Sequence, residues 1–160
     1  MQSASITVCL DNGTAHLSVK GRGTFENSEA IRNFCMMAIE SQAAKININM
    51  LECSGMDSTF MGILTMISRL GTMKACPVIL NNVNEANKKN FASLGISQIL
   101  NFTDTSTQQM PVMEALPTGG LSDDEKHKNI LDAHQELIDA NEENRPVFQD
   151  IITFLKENNS

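Results

Sequence analysis

The sequence predicts an α/β protein built on a mixed β-sheet, with a helical hairpin near its C-terminus. Two alternating apolar segments flank Asp11-Asn12-Gly13, and Asn-Gly favours the tight turn of an antiparallel hairpin. Strand-like and helix-like apolar patterns then alternate as far as residue 102. Residues 122–158 carry two more apolar stripes at helical spacing.

The first two strands are predicted from alternation, which places apolar side chains on one face of each strand. A bend at residues 21–24 follows, and then a helix capped by Asn27 or Ser28 continues to about Gln42. Its apolar stripe predicts that it lies on the sheet. The apolar strand positions are Ile6, Val8 and Leu10 in the first strand and Ala15, Leu17 and Val19 in the second.

The third strand is predicted over residues 45–51, where apolar residues alternate with Asn47 and Asn49. A strand buried on both faces would not leave these amides without partners, so one face is expected to be partly solvated. The helix predicted over residues 58–74 is apolar on more than one stripe. This predicts burial on one side and a second apolar surface for a partner to cover.

The remaining elements complete an alternating order of strands and helices. A continuous apolar run at residues 76–80 predicts a buried strand, residues 85–94 predict a helix ended by Gly95, and residues 99–102 predict a last short strand. This order predicts parallel strands joined by crossover helices. Functional loops of such sheets lie at the carboxyl ends of the strands, where residues 53–58 are expected.

Composition indicates one principal domain and argues against several kinds of partner. The chain has 160 residues, 41% of them hydrophobic, which is enough for one substantial core. Residues 1–110 carry 8 Lys/Arg and 8 Asp/Glu, whereas residues 111–160 carry 4 and 11, so the net charge of −7 comes from the C-terminal part. Without a basic patch, nucleic acid and membrane surfaces are not expected partners. Neither a membrane-spanning run nor a signal-peptide pattern is evident, and a cytoplasmic location is expected.

The most informative segment is Met56-Asp57-Ser58-Thr59, at the predicted start of the second long helix. Asp, Ser and Thr oxygens accept hydrogen bonds from backbone N–H groups that have no partner inside a helix. The same N–H groups and the positive end of the helix dipole suit a phosphate. A hydroxyl at this position is therefore either a cap or a phosphorylation switch.

Catalysis and metal binding are not expected. Ser58 does not lie in a Gly-x-Ser-x-Gly elbow, and the histidines available to it as a base, His16, His127 and His134, are not placed to serve by sequence position. His127 and His134 share a helical face, a spacing more typical of packing or solvent than of a metal site. We expect a non-enzymatic protein with no cofactor and no metal.

The four cysteines favour neither a zinc site nor a redox motif, because none are closely paired in sequence. They are Cys9, Cys35, Cys53 and Cys76, predicted to lie in a strand, a helix, a loop and a strand. We expect reduced thiols, three of them in the core.

With these residues in view, the chain resembles a STAS domain, the fold of bacterial anti-sigma factor antagonists, over roughly residues 3–103. Residues 56–62 are similar to the family pattern of Asp, Ser, Ser or Thr, Gly, Leu, Gly after a central strand. Gly21-Arg22 and residues 91–96, Phe-Ala-Ser-Leu-Gly-Ile, add supporting matches. The resemblance implies that an anti-sigma factor kinase phosphorylates Ser58 and that a PP2C-type phosphatase releases the phosphate. It also implies that the unphosphorylated form binds the anti-sigma factor and frees a sigma factor.

One residue departs from the family pattern, since Phe60 stands where the family usually has Gly. An aromatic residue at helical spacing is more typical of packing, and the alternative is that it changes which partner binds. Ser58 is the expected phosphoacceptor, with Thr59 as the backup hydroxyl. The expected partner-binding residues are Met56, Asp57, Ser58, Thr59, Met61, Gly62, Gly21 and Arg22.

The favoured function is a phosphorylation-controlled protein-interaction switch in bacterial transcription regulation. A helix N-terminus tolerates phosphate, so phosphorylation is expected to block docking rather than to unfold the domain. Two alternatives remain because one fold hosts several functions: a non-phosphorylated STAS scaffold of a signalling complex, and a small-ligand or nucleotide-binding STAS module.

The C-terminal part is predicted as a separate unit. The expected organisation is a STAS-like domain at residues 1–110, where residues 106–109 are a candidate last helix, then a linker at 111–121 and an acidic helical hairpin at 122–158. Ser122 and Glu125 form a capping box, and Pro146 suits the first turn of the second helix. Two short amphipathic helices cannot bury both stripes alone. Packing on their own domain and formation of a homodimer through these helices are equally expected.

Overall fold

The computed structural model describes residues 4–104 and 112–157. The predicted boundary at residue 110 and the candidate helix at 106–109 lie outside these residues. The elements, in chain order, are β1 (Ser5–Asp11), β2 (Thr14–Gly23), α1 (Phe25–Glu40), β3 (Lys45–Met56), α2 (Ser58–Met73), β4 (Val78–Asn81), α3 (Glu85–Ser93), β5 (Asn101–Thr103), β6 (Glu114–Ala115), α4 (Asp123–Ala140), a 3₁₀ turn (Glu142–Asn144) and α5 (Arg145–Glu157).

Six strands form a mixed sheet in the part of the chain that the structure describes, in the order β5-β4-β3-β2-β1-β6. β1 pairs antiparallel with β2 and β6, whereas β2, β3, β4 and β5 pair in parallel. Asn12 and Gly13 both have positive φ, as a tight hairpin turn requires. The predicted α/β fold, with an N-terminal antiparallel hairpin, parallel strands and a C-terminal helical hairpin, is confirmed.

The structure corrects several predicted boundaries. α1 begins at Phe25, with Thr24 as its N-cap and Asn27 as the other half of a capping box, so the predicted cap at Asn27 or Ser28 is wrong. β3 continues to Met56 and therefore contains Cys53, which was predicted to lie in a loop. Thr24, Asn27 and Ser28 lie in one short segment and can all cap a helix, and the apolar pattern alone does not show which of them does so.

Two further differences lie at the edges of the sheet. β6 falls inside the predicted linker and pairs with β1, and Leu116 N donates to Ile6 O at 2.8 Å. Cys76 precedes β4 instead of lying in it. A strand of two residues carries too little alternation to be recognised in a sequence.

The helices form two layers on one side of the sheet. α1 and α2 pack against each other and against the strands, α4 packs across α2 and α1, and α5 packs on α4. The hairpin therefore packs on its own domain, which is one of the two arrangements expected from the sequence. The other, a homodimer through these helices, remains a prediction.

The asparagines of β3 lie on the more solvated face of the sheet. Ile46, Ile48 and Met50 are buried, whereas Asn47 and Asn49 are half-buried. Asn49 Oδ1 accepts hydrogen bonds from Leu51 N at 3.1 Å and from an Asn82 amide at 3.4 Å. The partly solvated face predicted from the sequence is present.

The described residues contain neither a helix that could span a membrane nor a cluster of metal ligands. Within residues 4–104 and 112–157, none of the helices combines the length and apolar character that a membrane crossing requires. The same residues hold no cluster of three or more His, Cys, Asp or Glu side chains suited to a metal ion.

Candidate functional site

The candidate site is built where β3 ends and α2 begins. Asp57 is the N-cap of α2, and its Oδ1 accepts a hydrogen bond from Phe60 N at 2.8 Å. Its other oxygen, Oδ2, accepts from Phe25 N at the start of α1, also at 2.8 Å. One carboxylate thus satisfies free N–H groups of two helices and holds their N-termini together. Ser58 follows as the first residue of α2, so Asp57 is the cap and the Ser58 hydroxyl is left for another partner.

That partner is a histidine from the C-terminal hairpin. Ser58 Oγ lies 2.7 Å from Nε2 of His134, a residue of α4 that is 2% exposed. The other ring nitrogen, Nδ1, lies 2.7 Å from the carbonyl oxygen of Ile130. A carbonyl oxygen only accepts, so Nδ1 carries the proton, and Nε2 of the neutral ring accepts from the serine hydroxyl. The fold therefore brings together two residues 76 positions apart.

Burial keeps this histidine neutral. Loss of solvation lowers the pKa of His134 below its usual value, and this effect outweighs the Ile130 carbonyl and the Asp57 charge, which act in the opposite direction. The ring also packs edge-on against Phe148 of α5, with ring centroids 5.0 Å apart. Both helices of the hairpin thus hold the group that contacts Ser58.

A glycine allows α4 to approach this closely. A Cβ added at Gly62 would lie 2.3 Å from the carbonyl oxygen of Ala133, and backbone cannot move aside as a flexible side chain can. Small residues at a helix crossing let two backbones pack at short distance. Gly62, predicted to bind a partner, is here the contact point between α2 and α4.

Ion pairs fix the two sides of the same crossing. Arg69 on α2 donates to both carboxylate oxygens of Glu136, at 2.9 and 2.8 Å. Arg32 on α1 donates to Asp132 at 3.1 Å and to Asn129 at 3.3 Å. Two-point Arg–carboxylate contacts define geometry as well as energy, so α4 is held in one orientation.

A third polar contact is buried between α1 and α4. Asn129 Nδ2 donates to Ser28 Oγ at 2.8 Å. Ser28, considered as a helix cap from the sequence, instead accepts this bond from the hairpin.

The other predicted partner-binding residues are mostly covered in this structure. Met56, Thr59 and Met61 are buried, and Thr59, the backup hydroxyl, is only 4% exposed. Gly21, with positive φ, is half-buried and Arg22 is exposed. The predicted set therefore divides into an open part at the end of β2, the half-buried Asp57 and Ser58, and a buried remainder around α2.

Phe60, the departure from the family pattern, is a packing residue. It is 1% exposed, and a Cβ added at Gly23 would lie 2.7 Å from its ring. The ring fills the space above a glycine at the end of β2, which agrees with the simpler of its two sequence interpretations.

The cysteine thiols and a cleft between α1 and α4 bear on whether the protein carries out thiol chemistry or binds a small ligand. Burial raises the pKa of the Cys35, Cys53 and Cys76 thiols, which keeps them protonated and unreactive. A cleft of about 200 Å³ between α1 and α4 is smaller than the 300–1,000 Å³ typical of ligand pockets. Its lining residues, which carry charges of both signs, are Glu29, Arg32, Asn33, Glu125, Lys128 and Asn129.

Sequence reasoning considered His134 as a partner for Ser58 and rejected it, and the 2.7 Å contact shows that this expectation about its position is wrong. The histidine was interpreted as one position on an amphipathic helix, and no local pattern links it to Ser58. The signal that existed was the surplus of apolar residues on α2, which predicted that something covers this helix without saying what.

Comparison with known proteins agrees with this fold. The model of the STAS domain family matches residues 6–109. Because this match spans more than half of the chain, the chain belongs to the STAS family. The fold resembles that of anti-sigma factor antagonists of known structure. A search of curated proteins gave no match.

Solved structures share the fold at low sequence identity. The unphosphorylated anti-sigma factor antagonist SpoIIAA is 23% identical, with a TM-score of 0.54 over 64% of this chain and 90% of that one. The phosphorylated form of SpoIIAA from Bacillus is 24% identical, with a TM-score of 0.52 over 62% and 91%. A protein of Thermotoga maritima assigned as an anti-sigma factor antagonist is 15% identical, with a TM-score of 0.55 over 61% and 85%. The hairpin α4–α5 lies outside the family match.

Proposed function

We propose that this protein is a protein-interaction switch of the anti-sigma factor antagonist type, controlled by reversible phosphorylation of Ser58. One observation carries the proposal: the Ser58 hydroxyl lies in the first turn of α2, beside a cap that another residue supplies. A phosphate there would face free N–H groups and the positive end of the helix dipole. Asp57, committed to two backbone N–H groups, would remain as a neighbouring negative charge.

The partners follow from the family. We propose an anti-sigma factor kinase that phosphorylates Ser58, a PP2C-type phosphatase that reverses it, and a bacterial, cytoplasmic role in transcription regulation. SpoIIAA, which shares the fold, has been solved in unphosphorylated and phosphorylated forms. The proposed docking surface of the unphosphorylated form comprises Ser58, Gly21 and Arg22, together with Gly62 when α4 is displaced, and phosphate would add charge that a partner must desolvate.

Phosphosite mapping tests this function. The full chain is incubated with ATP and a lysate of cells that naturally produce it, and phosphorylated positions are located by mass spectrometry. We expect phosphate on Ser58, its loss in Ser58→Ala, and its retention in Ser54→Ala, a control that changes an exposed serine four residues away. Phosphate that appears reproducibly elsewhere and never on Ser58 or Thr59 would contradict the proposal.

Partner capture from the same lysate supplies the second measurement. Ser58→Ala is expected to bind the partner constitutively, and Ser58→Asp is expected to bind it more weakly. The alanine variant should fold, because a single hydrogen bond contributes only about 1 kcal/mol.

A non-phosphorylated scaffold is the second candidate, and the contact between Ser58 and His134 favours it. While α4 is in place, the Ser58 hydroxyl is hydrogen-bonded to the buried His134 ring at 2.7 Å. A scaffold would keep this contact permanently, whereas a switch must open it.

A further inference from the structure

The surface of α1 and α2 beneath α4 has the features of a docking site for a helix. Gly62 allows close backbone approach, and Arg32 and Arg69 flank it with positive charge. We name this surface, formed by Arg32, Ser58, Gly62 and Arg69, the helix-docking face. Its occupant in this structure defines the chemistry that fits it.

That occupant, α4, presents one acidic, small-residue stripe. Ala133 meets Gly62, Asp132 pairs with Arg32, and Glu136 pairs with Arg69. His134 accepts from Ser58, and Asn129 bonds Ser28 and Arg32. Positions 129, 132, 133 and 136 recur at helical spacing, so a single helix supplies every contact.

The shared fold does not itself supply this helix. The family match ends at residue 109, and the SpoIIAA alignment covers 90% of that chain but only 64% of this one. The hairpin is therefore an addition that covers a face near the phosphoacceptor position.

α4 contributes Ala133, Leu137 and Ile138 to the buried core, but its ion pairs with Arg69 and Arg32 are of a kind that can be exchanged. The Arg69 and Arg32 side chains are 46% and 24% exposed, so water can solvate both guanidinium groups when α4 leaves. Polar, partly solvated contacts are typical of interfaces that form and separate.

We propose that the helix-docking face binds an acidic amphipathic helix of a partner protein, and that α4 occupies this face in cis until the partner displaces it. The inference rests on the proposed role of Ser58 as the regulated hydroxyl, because opening α4 would free that hydroxyl from His134. A tethered helix competes at an effective concentration on the order of millimolar, so it sets an affinity threshold for the incoming helix.

The test uses the full chain and a synthetic hairpin peptide, residues 121–157, labelled at its N-terminus with fluorescein. Binding is followed by fluorescence anisotropy with three proteins. They are the unaltered chain, the variant Asp132→Asn/Glu136→Gln, which weakens the contacts of its own α4, and the control Asp123→Asn/Glu143→Gln. The control removes two exposed charges from the same hairpin without touching the helix-docking face.

We expect the peptide to bind Asp132→Asn/Glu136→Gln about tenfold more tightly than it binds the other two proteins, since only there is the cis helix weakened. A peptide that itself carries Asp132→Asn/Glu136→Gln should bind that variant about tenfold more weakly. Equal binding to all three proteins would overturn the exchange, and equal binding of the two peptides would overturn the requirement for acidic residues.

Folding of the variant is checked by circular dichroism. If Asp132→Asn/Glu136→Gln unfolds as a whole, the hairpin belongs to the cooperative core and the inference is overturned. Neither kinase nor phosphate enters this measurement, so its failure is separate from a failure to find phosphate on Ser58.

Discussion

The sheet interior and the interface beneath the C-terminal hairpin are both buried, but they are made from different side chains. On the described strands every buried residue is apolar, with Leu17, Ile48 and Leu80 as examples. Beneath the hairpin, His134 and Glu136 are buried and each is hydrogen-bonded to a residue of α2. The proposed opening of the hairpin would exchange one set of polar partners for another, whereas the apolar sheet interior has no polar partners to exchange.

This difference assigns separate roles to the two regions. The apolar sheet positions the β3–α2 junction, and the polar interface holds the half-buried Ser58 against His134. A protein that only needed to bury α2 would be served by apolar contacts, which need no exact hydrogen-bond partners.

Removing the hairpin should have the largest effect. A chain ending at Thr118 would uncover the face of α2 around Gly62 and would remove Ala133, Leu137 and Phe148 from the core. We expect the free energy of unfolding to fall by more than about 2 kcal/mol and the truncated chain to associate or lose solubility. Light scattering measures association, with concentration taken from peptide-bond absorbance because the chain has no Trp or Tyr. Two chains of equal solubility and association state would show that the hairpin is an independent appendage.

Gly62→Ala should come next, because it acts at the crossing of α2 and α4 alone. Its Cβ would meet the Ala133 backbone at 2.3 Å, so α4 must shift. We expect a loss of about 1–3 kcal/mol in chemical denaturation. Gly55→Ala is the matched control, since its Cβ would meet only the flexible end of Arg22 at 3.1 Å. Equal effects of the two substitutions would refute the importance of the close approach.

Glu136→Gln should have a smaller effect. Glu136 is buried while its partner Arg69 is partly exposed, so water can replace part of the lost contact. We expect a loss of about 1 kcal/mol, measured in urea. Glu142→Gln breaks the exposed pair with Arg145 and should leave stability unchanged. If Glu142→Gln lowers the free energy of unfolding as much as Glu136→Gln does, the Glu136 ion pair does not hold the hairpin as described.

Acidification should produce the smallest effect. Because the pKa of His134 is lowered in the folded protein, the open form binds the proton more readily, and the closed form loses stability as pH falls below the ordinary value of 6.5. Asp57 opposes this shift. Hydrogen exchange of α4 should therefore rise between pH 7.5 and 5.5, after correction for intrinsic rates, and His134→Asn should remove the rise.

Protonation of Glu29 and of His16 must be distinguished from protonation of His134. The pKa of Glu29, which faces Glu125 of α4, is raised, so protonation of Glu29 strengthens the closed form as pH falls. The pKa of His16 on β2 is lowered, and its protonation weakens the sheet rather than the hairpin. A rise confined to α4 and absent in His134→Asn identifies His134. An unchanged rise in that variant would assign the effect elsewhere.

The sequence predicted the fold well because periodic patterns report burial directly. Alternation predicted β1 to β3, and the apolar surplus of α2 correctly predicted that two sides of this helix are covered. The start of α1 was placed too late, since Thr24, Asn27 and Ser28 are all residues that favour a cap.

The site was predicted only in part, because half of it comes from a distant segment. Asp57 and Ser58 were placed correctly at the helix start by local cap chemistry. Their contacts with Phe25 and His134 depend on how helices cross in space, which a spacing argument does not contain. The Ser58 phosphorylation remains a prediction.

The most direct test of the account is native-state hydrogen exchange of the full chain across low concentrations of denaturant. The account predicts that buried amides of α4 and the amides next to Ser58 exchange through an opening of lower free energy than amides of β2 and β3, which exchange only on global unfolding. Asp132→Asn/Glu136→Gln should lower the first free energy more than the second. If α4 and the strands exchange with one common free energy in both proteins, the hairpin is an inseparable part of the core and does not gate Ser58.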